Sequence, residues 1–77
     1  EDADDSTLVG YGAGNRIQSG SGNIYIGSYA GNANVNGEFN VGVGSNALQK
    51  VVSASMNTAL GHIAGSDITG QKNIAIG

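Results

Sequence analysis

With 77 residues, a net charge of −3 and no cysteine or proline, the chain has room for one small domain and no disulfide to hold it. Repetition or association must therefore supply the burial that a lone globule of this size lacks. Four of the carboxylates, Glu1, Asp2, Asp4 and Asp5, sit in one run, and residues 6–77 set Arg16, Lys50 and Lys72 against Glu38 and Asp67, a near-neutral balance without the basic stripe that nucleic acid requires.

Residues 1–5 read as a solvated acidic linker, since a calcium loop would need a D-x-D-x-D-G spacing that is missing. From residue 6 onward one phrase recurs: Ser6-Thr7-Leu8-Val9-Gly10, Asn23-Ile24-Tyr25-Ile26-Gly27, Asn40-Val41-Gly42-Val43-Gly44, Asn57-Thr58-Ala59-Leu60-Gly61 and Asn73-Ile74-Ala75-Ile76-Gly77. Its closing glycines fall 17, 17, 17 and 16 residues apart, so repeats begin at 6, 23, 40, 57 and 73 and fill residues 6–77. Three residues after each of the first four glycines stands an alanine, Ala13, Ala30, Ala47 and Ala64, followed in three cases by Gly14, Gly31 and Gly65. A fixed period of this length is the signature of a solenoid. The chain starts inside an acidic run and stops on a repeat core, which reads as a fragment of something longer.

Within each repeat we count the Asn, or Ser6, as position one. Positions two and four are mostly β-branched, which predicts a strand with Val9, Ile24, Ile26, Val41, Val43, Leu60, Ile74 and Ile76 on the core. Position three, on the other face, holds Leu8, Tyr25, Gly42, Ala59 and Ala75 and is also uncharged. A strand without charge on either face is normally covered on both. The second cover is expected to be another copy of the chain, with Tyr25 facing it.

Gly10, Gly27, Gly44, Gly61 and Gly77 end the strands, where a turn asks for positive φ, and the small alanines let the chain double back. A second, weaker strand is expected around Ile17, Val35, Val51-Val52 and Ile68, with one face in water. Glycine content and the lack of a 3.6-residue apolar period disfavour helix, and the stretch from Asn46 to Met56 is assigned to strand by its place in the repeat. Two strands and two turns per repeat describe a flattened, all-β solenoid of about 17-residue coils, stacked at ~4.8 Å. In such a stack Asn23, Asn40, Asn57 and Asn73 form a structural ladder of side-chain amides.

The pattern Asn-x-Ala-Ile/Leu-Gly-x-x-Ala, clearest in Asn57-Thr58-Ala59-Leu60-Gly61-His62-Ile63-Ala64-Gly65 and Asn73-Ile74-Ala75-Ile76-Gly77, resembles the head repeats of trimeric autotransporter adhesins. The longer run to Gly77, with Ile68-Thr69-Gly70 in its middle, is similar to repeats of bacteriophage tail fibres and tailspikes. The resemblance covers residues 6–77 and implies a left-handed parallel β-roll, three chains about a common axis and the Asn-led strand turned inward. Autotransporter head repeats are typically shorter, which favours the phage-fibre branch. Departures are Ser6 for Asn, Leu48 where Gly14, Gly31 and Gly65 stand, and Gly42 within a strand.

No catalytic, metal or cofactor site is expected. Gly10-Tyr11-Gly12-Ala13-Gly14 lacks the following helix and acidic partner of a dinucleotide loop, and His62, Asp67 and the serines lack the nucleophile elbow of a hydrolase. No apolar stretch reaches the length that spans a bilayer, and no signal-peptide pattern is present, so membrane insertion is not expected. Tyr11, Tyr29 and His62, in the turn after the glycine, are the candidate ligand contacts, for a cell-surface glycan or a protein receptor.

The expected function is a structural and adhesive segment of a homotrimeric extracellular fibre on a virion or a bacterial surface. A self-assembling filament or functional amyloid is the alternative. An ice-binding solenoid would need a threonine in every coil, and only Thr7, Thr58 and Thr69 are available.

Overall fold

The computed structural model describes residues 5–66 and 68–77, so the acidic run expected as a linker lies outside the described residues except for Asp5. Five three-residue strands, β1 (Thr7–Val9), β2 (Ile24–Ile26), β3 (Val41–Val43), β4 (Thr58–Leu60) and β5 (Ile74–Ile76), form one parallel sheet in chain order. The register advances by one repeat at each step, Tyr25 against Leu8 and Gly42, Ala59 against Gly42 and Ala75. The fold is an all-β solenoid of about four turns, and no strand pairs with any but its neighbours along the chain.

Each strand is closed by a glycine with φ between 119° and 131°, a conformation that L side chains rarely adopt, and at the first four the next coil also leaves a side chain no room. A Cβ on Gly27 would lie 2.6 Å from the carbonyl carbon of Gly44 in the next coil. The alanine three residues on donates back to that glycine, Ala30 N to Gly27 O at 3.1 Å and Ala47 N to Gly44 O at 3.1 Å, and the next residue bonds across to the following coil, Gly31 N to Ala47 O at 2.8 Å. A second reverse turn then runs from position nine to position twelve, as in Ile17 N to Gly14 O and Asn34 N to Gly31 O, both 3.1 Å.

Two expectations are corrected here. The second strand of each coil, including the stretch from Asn46 to Met56, does not form; these residues are turns and bends. The turn into position twelve leaves little extended chain, with inter-coil rungs at position thirteen such as Gln18 N to Val35 O and Val35 N to Val52 O, both 2.8 Å, which is too little for a ladder.

The second correction concerns the faces of the strand. The buried strand residue is position three: Tyr25 and Ala59 have no solvent-exposed surface and Gly42 is buried. Val9, Ile24, Ile26, Val41, Val43, Leu60, Ile74 and Ile76, expected on the core, point outward and are half-buried or exposed. Tyr25, expected to face another chain, is the largest side chain inside this one. A coil of 17 residues is too narrow for two β-branched side chains on one wall. Tyr25 alone spans it, reaching the α-carbon of Gly31 on the far side and hydrogen-bonding Asn34.

The interior is a column of complementary large and small residues. Leu8 lies over Gly14, Tyr25 over Gly31 and Gly42, and Leu48 over Gly65 and Ala59. Val51, Ala54 and the buried Ala13, Ala30, Ala47 and Ala64 complete it, with Ile17, Ile68 and Ala75 packed at its margins. The two departures of the third coil fit the coils on either side of it: Gly42 makes room for the Tyr25 ring of the second coil, and Leu48 packs over Gly65 of the fourth.

Candidate functional site: an outward apolar strand face

One edge of the strand face is set by the asparagine column. Asn23, Asn40 and Asn57 are buried, and each clips its own coil shut by donating from Nδ2 to a turn carbonyl: Asn23 to Gly37 O at 2.8 Å, Asn40 to Ala54 O and Asn57 to Gly70 O at 2.9 Å. Each side-chain oxygen accepts the backbone N–H of the asparagine in the next coil at 3.0 Å, Asn40 on Asn23, Asn57 on Asn40 and Asn73 on Asn57. The amides of Asn40 and Asn73 donate along the column as well, both at 3.1 Å. Ser6 keeps the acceptor role in the first coil, its hydroxyl oxygen taking the Asn23 N–H at 3.2 Å. With the Asn amides directed inward or along the column, the only polar side chains on the strand face are the hydroxyls of Thr7 and Thr58.

That face is a flat stack of five strands, ~20 Å tall at a 4.8 Å rise. Ile24 and Ile26 are each 38% exposed, Leu60 42%, Val9 53%, Ile74 76% and Ile76 75%. With Thr7, Val41, Val43 and Thr58 they make a surface without a charge. A contiguous apolar face of this kind marks an interaction surface.

The candidate ligand residues are only partly brought together. Tyr11 and Tyr29 meet edge to face, centroids 5.6 Å apart and planes at 88°, and Tyr29 also lies across Gly12. His62 is exposed at the repeat position of Tyr11, three coils away, and does not join them. Among the described residues no group of three His, Cys, Asp or Glu side chains is gathered that would hold a metal, and no helix is long and apolar enough to cross a membrane. A hollow of about 160 Å³ is lined by Lys50, Val52, Ser53, Ala54, Ile68 and Thr69. It lies where the fourth repeat is one residue short, with Thr69 standing where the third coil has Val52 and Ser53.

Asn34 was not anticipated as an interior residue. It is buried, donates from Nδ2 to the Tyr25 hydroxyl at 2.7 Å, and accepts the Gly37 N–H on its side-chain oxygen at 2.7 Å. The period itself carries the signal, because Ile17, Asn34, Val51 and Ile68 fall 17 residues apart. Reading the most apolar residue, Val35, as the inward one in that coil misplaced it by one. Burial pushes the Tyr25 hydroxyl up to about 12, while the amides of Asn34 and Asn40 pull the other way.

No protein-family model matches the chain, and searches of curated proteins and of solved structures return no match.

Proposed function

We propose that the chain is a structural and adhesive segment of an extracellular fibre, a phage tail fibre or a bacterial surface adhesin. In this reading three left-handed coils stand side by side with their strand faces turned to a common axis. The observation that carries it is the uncharged face of Ile24, Ile26, Val41, Val43, Leu60, Ile74 and Ile76, which the chain leaves uncovered. Burying it removes apolar surface from water at ~25 cal/mol per Å², and a lone stack of four coils has few other sources of stability. The resemblance of the repeat to adhesin heads and phage fibres points the same way. In such a fibre the segment is a rigid spacer, and its outer turns, with Tyr11 and His62, are where a glycan or protein receptor would be met.

Solution mass by light scattering on a size-exclusion column tests the reading. A mass three times that of the chain, collapsing to a folded monomer when Ile26→Lys and Val43→Lys place charges on the face, is the expected result. A folded wild-type monomer overturns it. A broad high-mass distribution favours end-to-end filaments, for which β1 and β5, each paired on one side only, supply the free edges.

A further inference from the structure

Of the nine asparagines only Asn36 is followed by a glycine. In an Asn-Gly pair the glycine backbone nitrogen can attack the side-chain carbonyl carbon of the asparagine, because the second residue has no side chain to obstruct the approach. The new C–N bond closes a succinimide, and the side-chain nitrogen leaves as ammonia with the proton given up by the glycine N–H. Water then opens the ring, to aspartate at one carbonyl or to isoaspartate at the other. Asn36 is exposed to that water in the turn that closes the second coil.

The attacking nitrogen is not exposed. Gly37 is buried, and its N–H is donated to the side-chain oxygen of the buried Asn34 at 2.7 Å. Its carbonyl oxygen accepts Asn23 Nδ2 at 2.8 Å and Asn34 Nδ2 at 3.3 Å, so the residue is held through both of its backbone polar groups. A side-chain amide oxygen is a neutral acceptor and no base, so it holds the proton in place without removing it. A nitrogen fixed this way cannot turn toward the side chain before it. In the other coils position twelve is Ile17, Val51 and Ile68, none of which carries an acceptor. The coil with the Asn-Gly pair is the one whose position twelve can hold the following N–H.

We propose that Asn36-Gly37 is a latent modification site, closed by the Asn34 clip while the second coil is folded and converted to aspartate and isoaspartate when that coil opens. Asn34 acts as a positioning residue, through the Gly37 nitrogen. Conversion to isoaspartate is one-way for the fold, since the chain then runs through the side-chain carbon and gains a methylene between residues 36 and 37. The turn has no slack for it. A Cβ on Gly37 would already collide with the Ala54 carbonyl oxygen, and the Asn23 clip needs the Gly37 carbonyl where it stands. A coil that stays open long enough to react is thereby kept from closing again.

The test follows conversion of the full chain by peptide mapping and mass spectrometry, in buffer and in urea. Opening of the coil limits the reaction in the folded chain, so Asn36 is expected to convert at least about a hundredfold more slowly in buffer than in urea. The double variant Tyr25→Phe and Asn34→Val removes the clip together with the hydroxyl that Asn34 serves, and gives position twelve the residue type of the third coil, Val51. Folded by circular dichroism, it is expected to convert at least about tenfold faster than the parent at Asn36, with the other asparagines unchanged. Equal rates for the parent in buffer and urea overturn the proposal, as does a folded variant no faster than the parent. Hydrogen exchange of the parent decides the case of a variant that does not fold: protection of the Gly37 N–H is expected, and exchange at the rate of an exposed amide overturns the clip. Isoaspartyl chain made in urea and returned to buffer is expected not to regain the parent spectrum, and its recovery overturns the one-way step.

Discussion

The second and third coils share one backbone and carry opposite side-chain layouts. In the second, bulk stands on the strand as Tyr25, with Gly31 at position nine and a polar Asn34 at position twelve to meet the hydroxyl. In the third, the strand has Gly42, bulk has moved to Leu48 at position nine, and position twelve is the fully buried Val51. The constraint is thus on the volume enclosed by a coil and its neighbours, not on residue type at each position. A departure from the repeat consensus in one place is answered by another nearby.

Removing either bulky residue gives the largest effects. Tyr25→Ala should lower unfolding free energy by about 4 kcal/mol and Leu48→Ala by about 3 kcal/mol in denaturant titrations, both through an unfilled core. Adding a methyl group separates the coils more finely. Gly31→Ala drives a Cβ into the Tyr25 ring at φ 59° and should lose about 3 kcal/mol, whereas at Gly42 the ring edge is 3.0 Å away and the loss should be about 1 kcal/mol. Tyr25→Leu combined with Gly31→Ala should lose less than the two single changes together, by about 1–2 kcal/mol, since the smaller side chain vacates the space. Equal losses at Gly31 and Gly42 would mean that the coils do not differ in this way.

The asparagine column, common to both coils, provides the reference. Asn40→Ala strands the Asn57 N–H and the Ala54 carbonyl and should lose about 2–3 kcal/mol, while at the half-buried Asn32, whose Nδ2 makes a solvent-exposed bond to Asn15 Oδ1 at 2.9 Å, the change to Ala should stay within about 0.5 kcal/mol. The two coils also differ in their response to base. Because Tyr25 ionises near about 12 when folded and at 10.0 in a free chain, its contribution is fully present below pH 10 and is lost as pH rises through about 12. Stability measured across that window should fall for the parent chain, and the part due to Tyr25 should vanish in Tyr25→Phe.

The sequence by itself determined the period, the five strands at their places, the turn glycines and the positions of the asparagine column, because each is a backbone requirement repeated at a fixed interval. Stacking in register needs the same residue at the same height, and one chain suffices to display that. Which face of the strand is the inner one was decided by the tertiary structure. Alternation in Ile24-Tyr25-Ile26 marks two faces without ranking them, and the choice depends on what the far wall leaves room for: Gly31 and Asn34 in that coil, Leu48 and Val51 in the next. For the same reason Asn34 passed for a surface residue and Leu48 for an irregularity. Their meaning lies in residues across the coil, and no local pattern of polarity encodes a partner seen only once the coil is closed.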